Sequence, residues 1–217
     1  MPRSILVTEG SSPLGVALVR LLAAHGYLVA AACDRGAGEA ESSGDRLLSL
    51  PWNRRSAASA RAVVLSTVNA FATLDEAVIL EPPFTGTAPA LASASSAEVD
   101  RAFDDAKGPV LIAREVITSF VAGGAGIVSF VSGGVAAGPV EAAVREAFRG
   151  MATALMSAPG NGIIANGFQG VPGDVSEYAA FIDRTLEEKA RKISGRWFSL
   201  PGRGGFLQGV FKTSSSP

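Results

Sequence analysis

Residues 4–35 read SILVTEGSSPLGVALVRLLAAHGYLVAAACDR. Ile5, Leu6 and Val7 form an unbroken apolar run of the kind that a strand buried on both faces presents. After a short turn, Leu14, Ala17, Leu18, Leu21 and Leu22 recur at helical spacing, and residues 28–33 supply a second apolar run. This order of elements matches a dinucleotide-binding β-α-β opening. In such an opening a T-G-x-x-x-G-x-G loop brings backbone N–H groups to a pyrophosphate at the helix N-terminus. The loop here is Thr8-Glu9-Gly10-Ser11-Ser12-Pro13-Leu14-Gly15, with Thr8 and Gly15 at the right separation and Glu9 and Pro13 at the first two glycine positions. Gly10, Ser12 and Gly15 remain as vestiges of a phosphate cradle. A carboxylate about 4 Å from a pyrophosphate oxygen costs on the order of 4 kcal/mol at an effective dielectric of about 20, which is roughly three decades of affinity. Glu9 could instead set its carboxylate at the helix N-terminus in place of the phosphate, or swing outward. Pro13 suits a first helical turn but has no N–H to offer an anion.

The whole chain suits one α/β domain. Its 217 residues are enough to bury a sizeable core. A hydrophobic content of 47% with 25 glycines fits a sheet covered on both faces by helices. The formal charge of −1, with no block of Lys or Arg, argues against nucleic acid or an anionic membrane surface as partner. No apolar run approaches the roughly 20 residues of a membrane helix, and MPRSILV enters a strand without a signal sequence. A cytoplasmic protein is the expectation. The single cysteine, Cys33, excludes an internal disulfide and a cysteine-based zinc site, and no cluster has metal-ligand spacing.

Further strands are expected at 47–50, 77–80, 126–131, 163–168 and 196–200, with helices at about 56–72, 97–122, 141–158 and 175–192. Val144, Ala147, Phe148, Met151 and Leu155 share one helical face, and Tyr178, Phe181, Ile182, Thr185 and Leu186 another. The alternation calls for a parallel, doubly wound sheet in a single domain over residues 1–211. Residues 36–45 read as a loop and 212–217 as a disordered tail. His25, before Gly26, fits a helix C-cap, and Trp52 and Trp197 read as core or interface residues.

These residues resemble the short-chain dehydrogenase/reductase family nearly end to end. Thr8 to Gly15 matches its glycine loop in length, Val99 to Gly108 its fourth-helix motif, Gly126 to Ser132 its fifth strand, and Ile193 to Gly202 its closing stretch. The resemblance implies a Rossmann-like sheet of about seven strands in the order 3-2-1-4-5-6-7. It also implies a catalytic Tyr-x-x-x-Lys pair, a Ser and an Asn, in which the Lys and the cofactor lower the pKa of the Tyr phenol. Ser132 occupies the serine position. Alignment of residues 148–151 puts Glu141 at the Tyr, Arg145 at the Lys and Asp105 at the Asn. Tyr27 and Tyr178 lie far from that helix in sequence and read as core or interface residues. Glu141 and Arg145 form an i,i+4 pair, worth roughly 0.3–0.5 kcal/mol on an exposed helix face and needing no function. Arg145 stays protonated and cannot relay a proton.

The cofactor path has changed as well. Ile79-Leu80-Glu81-Pro82 stands where the family has N-N-A-G, and Gln169-Gly170-Val171 where it has P-G. Asp34 could hold an adenosine ribose and Arg35 a 2′-phosphate, but given the rest of the site both read as turn residues. Ser132 and Glu141 are closer in sequence than the family's Ser and Tyr. The substrate lid before the last helix is missing, and the helix between strands two and three is reduced to residues 36–45. The reading is therefore a catalytically degenerate member that binds NAD(P) weakly or not at all. It would act as a structural or regulatory subunit of a homo- or hetero-oligomer, paired through the helices near 107–122 and 141–158 with a second copy or an active paralogue. Val110, Ile117, Phe120, Val144, Phe148 and Met151 are the residues available for that contact. Two alternatives stay open. One is an NAD(P)-dependent oxidoreductase built on Ser132 with Glu141 or Asp105. The other is a cofactor-free lyase resembling the halohydrin dehalogenases, which share the Arg but keep the Tyr.

Overall fold

The computed structural model describes residues 2–34, 46–84, 90–170 and 173–201. The expected loop at 36–45, the tail at 212–217, Arg35 and Val171 lie outside the described residues. Seven parallel strands form one sheet: β1 (Ser4–Val7), β2 (Leu28–Asp34), β3 (Leu47–Trp52), β4 (Glu76–Leu80), β5 (Gly126–Gly133), β6 (Ile163–Gly170) and β7 (Trp197–Ser199). Their order is β3-β2-β1-β4-β5-β6-β7, as the resemblance implies. Five α-helices cross between them: α1 (Pro13–Ala24), α2 (Ala57–Phe71), α3 (Ser96–Gly123), α4 (Pro139–Ser157) and α5 (Val175–Thr185). The expected elements are all present with ends shifted by a few residues. The last helix differs most, since α5 stops at Thr185 and continues as a π-helical turn, Leu186–Ala190.

Alternation along the strands explains why the apolar runs are unbroken. Successive side chains point to opposite faces, and both faces are covered. Leu6, Ala30, Ala32, Ile79, Val128, Phe130 and Ala165 meet α2, α3 and α4 on one side. Ile5, Val7, Val29, Ala31, Val78, Leu80, Val131 and Phe168 meet α1 and α5 on the other. Local signals start the helices: Ser12 caps α1 with Pro13 at its first position, and Ser95 with Glu98 forms a capping box at α3. Residues 171–174 separate β6 from α5.

One expectation about the helices needs correction. Phe120 and Phe148 are core residues packed against the sheet rather than contact residues, and Val144 is buried with Ala102 and Val140 between α3 and α4. Tyr27 is buried just before β2, and its hydroxyl joins an ion group at the N-terminal end of the sheet. There the buried Glu76 carboxylate is held by Arg3 at 2.7 Å and Arg191 at 2.9 Å, and Tyr27 bonds both Arg191 and Glu187. His25 does cap α1 through its backbone, and its ring Nδ1 also reaches Asp183 of α5 at 3.1 Å. Trp52 is a core residue, whereas Trp197 is half-buried on the edge strand β7 beneath the Arg149 guanidinium. None of the described helices is long and apolar enough to cross a membrane.

The start of β5 is packed tightly enough to test. A Cβ on Gly126 would overlap the Phe120 ring at the end of α3. Gly126→Ala is expected to cost about 1–3 kcal/mol by overpacking, and Phe120→Ala about 3–5 kcal/mol by leaving a cavity. Urea unfolding of the double variant should give less than the sum, because the smaller residue 120 vacates the space that the new methyl needs. Simple additivity would mean that the two do not share this contact.

Candidate functional site

A doubly wound sheet opens a crevice at the carboxyl ends of the strands where the strand order reverses, here between β1 and β4. On the β1 side lies the altered loop. Glu9 has a φ of 54°, a left-handed conformation in which glycine is the default residue. It therefore keeps a glycine's backbone while carrying a side chain. That side chain neither caps α1 nor swings outward, contrary to both expectations. It turns inward and is 1% exposed, its Oε1 accepting from Arg54 Nε at 2.6 Å and its Oε2 bonding Arg54 Nη2. Arg54 Nη1 donates to Asp34 at 3.0 Å. Arg54 thus bridges the loop after β1 and the end of β2, itself 7% exposed. Gly108 in α3 makes room for it, since a Cβ there would lie 2.8 Å from Arg54 Cβ.

Three of the loop N–H groups are also occupied. Gly10 N donates to Ala32 O, Ser12 N to Glu9 O, and Gly15 N to Ser12 Oγ, the last at 3.0 Å, while Pro13 has no N–H. Gly15 is needed for a different reason: a Cβ on it would overlap the Glu9 carbonyl. A pyrophosphate needs free donors and no facing carboxylate, and an adenosine ribose needs the acceptor capacity of Asp34. The residues present do not match a bound dinucleotide in this arrangement.

The β4–β5 side holds a second charged group. Ser132, at the end of β5, donates from Oγ to Glu81 Oε2 at 2.7 Å. Arg145 of α4 places Nε 3.1 Å from Glu81 Oε1, and its Nη2 donates to Glu141 Oε1 at 3.1 Å. Arg145 Nη1 donates to the Gly133 carbonyl at 2.7 Å, and Glu141 Oε2 accepts from Ala137 N at 2.8 Å. Ser132, Glu141 and Arg145 therefore come together as aligned, but through Glu81, which the sequence presented only as a departure from N-N-A-G. The Glu141–Arg145 pair faces this site rather than an exposed helix surface, with side chains 12% and 19% exposed. Asp105 is not part of it, because it pairs with Arg55 at 3.0 Å. Burial pushes the Glu81 carboxyl above its ordinary range, opposed by the Ser132 hydrogen bond and the Arg145 charge.

Tyr178 is the residue that sequence reasoning missed. It lies on α5, yet its hydroxyl donates to the Ser132 carbonyl at 2.7 Å, and its ring packs on Gly133 and Gly170. Burial raises its pKa well above the ordinary phenol value, so it holds its proton at neutral pH. Glycines at the ends of both β5 and β6 were the available signal, since a ring can lie flat only where Cβ atoms are absent. Among the described residues, no group of three or more His, Cys, Asp or Glu could hold a metal ion.

Burial also raises the proton affinity of Glu9, against the opposing effect of Arg54. Arg54→Met should lower stability by about 3–5 kcal/mol near neutral pH, because it leaves a buried carboxylate unpaired. Without Arg54 the Glu9 pKa rises further above its unfolded value. Stability linked to such a group is intact below the unfolded pKa and is lost as pH rises through the folded one. The deficit should therefore be large at about pH 8 and shrink towards about pH 5 as Glu9 takes up a proton. Glu9→Gln in the same chain should recover much of it at the higher pH. An equal deficit by urea unfolding at both pH values would show that Arg54 is not what neutralises Glu9.

No family model matches the sequence, and no curated protein matches it. The fold does have solved relatives. A protein of Bacillus thuringiensis assigned as a 3-oxoacyl-reductase superposes with a TM-score of 0.80 at 16% identity, over 92% of this chain and 97% of its own. Levodione reductase gives 0.79 at 18% identity, over 91% and 95%. A doubly substituted variant of a short-chain dehydrogenase/reductase of Serratia marcescens gives 0.77 at 21% identity, over 91% and 95%. The chain has the fold of the short-chain dehydrogenases/reductases along nearly its whole described length.

Proposed function

We propose that this chain is a non-catalytic protein of the short-chain dehydrogenase/reductase fold, serving as a structural or regulatory subunit of an oligomer. The observation that carries this reading is the buried Arg54 guanidinium, bonded to Glu9 and Asp34 across the mouth of the former phosphate loop. A dinucleotide entering there would have to break that ion group, and it would meet a carboxylate where the fold's dinucleotide binders have glycine. The reaction side supports the same reading. Ser132 directs its hydroxyl to Glu81, Arg145 is permanently charged, and the one tyrosine nearby is a buried donor to a backbone carbonyl. None of these groups is placed to exchange a proton with a substrate near neutral pH.

The exposed faces of α3 and α4 supply the surface for assembly. Phe103, Val110 and Val121 are 44%, 50% and 60% exposed on α3, unusual exposure for large apolar side chains at helical spacing. Ala143, Ala147, Gly150 and Ala154 are exposed along one stripe of α4, where small side chains allow another helix to approach closely. Pairing through these faces with a second copy or a related subunit would bury both.

Calorimetric titration with NADH and NADPH should give no binding up to about millimolar concentration, whereas micromolar affinity would overturn the non-catalytic reading. Light scattering should find a dimer or larger species, and the Phe103→Asp, Val110→Asp double variant should run as a monomer with an unchanged melting temperature. A monomeric unsubstituted chain would rule out self-association and restrict the assembly to a hetero-oligomer.

A further inference from the structure

Beside the Ser132 group lies a cavity of about 260 Å³, lined by Leu80, Pro82, Val131 and Val175 among others, with Ser12, Glu81, Arg145 and Tyr178 as its polar members. A mostly apolar pocket with a few convergent polar groups is the usual form of a small-molecule site. The polar members differ in what they have left to offer. Tyr178 already donates to the Ser132 carbonyl. Arg145 is engaged by Glu81, Glu141 and the Gly133 carbonyl. Glu81 accepts from Ser132 Oγ, faces Arg145 and takes the Gly133 N–H. A carboxylate has about four acceptor positions, so about one is still open on Glu81. The charges point the same way, because a single guanidinium lies between two carboxylates, Glu81 and Glu141.

We propose that this cavity binds a small apolar molecule carrying one protonated amine, with Glu81 accepting from the ammonium and the apolar walls covering the hydrocarbon. An acid would meet a site of net negative charge in which the Arg145 and Tyr178 donors are engaged. A neutral alcohol would satisfy the open acceptor but leave the charge unbalanced. The volume restricts the ligand to about the size of a single ring with a short arm. The inference rests on the reading above in one respect, namely that a nicotinamide ring does not already occupy this space.

Calorimetry with benzylammonium, benzyl alcohol and benzoate tests it on the intact chain. Benzylammonium should bind at least about tenfold more tightly than benzyl alcohol, and benzoate should give no heat. Glu81→Gln should abolish the preference for the amine while leaving the alcohol's affinity within about twofold, a pattern that a merely structural role for Glu81 would not produce. Should that variant fail to fold, Val175→Trp fills the cavity with every charged residue left in place and should abolish binding of all three, with the melting temperature as a check. Equal affinity for the three probes, preference for benzoate, no heat with any, or benzylammonium binding unchanged in Val175→Trp would each overturn the proposal. A parallel titration with NADH separates the two readings. NADH binding with the amine preference intact in nucleotide-free protein would overturn the non-catalytic reading and leave the amine site standing. Absence of both would overturn the amine site alone.

Discussion

The reversal of strand order between β1 and β4 imposes the constraint on which this structure depends. At that point the helices leave to opposite faces and the carboxyl ends of the strands are left uncovered, so backbone and side-chain polar groups converge in a crevice. Such groups need partners, because a buried polar group without one costs roughly 1–3 kcal/mol. In a dinucleotide-binding protein the ligand supplies many of them. In this chain the partners are internal: Arg54 crosses from the end of β3 to reach Glu9 and Asp34, and Arg145 crosses from α4 to reach Glu81 and Glu141.

The two groups have the same composition, one guanidinium between two carboxylates, and differ in how closed they are. Around Arg54 the space is filled, with Gly108 shaped to admit the side chain and three of the loop amides bonded within the protein. Around Arg145 a cavity remains against Leu80 and Val175. Buried ion pairs are weak sources of stability, since desolvation offsets much of the attraction. Their effect here is on what can enter. The Arg54 group takes up the acceptors that a ribose would use, and the Arg145 group leaves an open acceptor beside an apolar pocket.

The layered fold was legible because its signals are local. Ile5–Val7 and residues 28–33 are apolar on every position, as a doubly covered parallel strand must be, and Ser12-Pro13 and Ser95 with Glu98 mark helix starts within a few residues. Glu9 was legible as a break in the phosphate loop, but its direction was not. Whether its carboxylate faces solvent, the helix N-terminus or the interior depends on Arg54, 45 residues away. In the same way the pairing of Glu141 with Arg145 follows from i,i+4 spacing, whereas the exposure of that pair depends on what the sheet places opposite.

The sequence by itself determined the alternation of strands and helices and the absence of Tyr and Lys from the helix that follows β5. These are properties of residue type and spacing along the chain. Only the tertiary structure decided that Arg54 fills the crevice beside the loop, that Glu81 joins Ser132 to Arg145, that Asp105 leaves the site for Arg55, and that Tyr178 comes back to the end of β5. Each of these contacts joins residues from different elements, brought together by the order in which parallel strands pair. That order is set by burial of both sheet faces and has no local signature in the sequence.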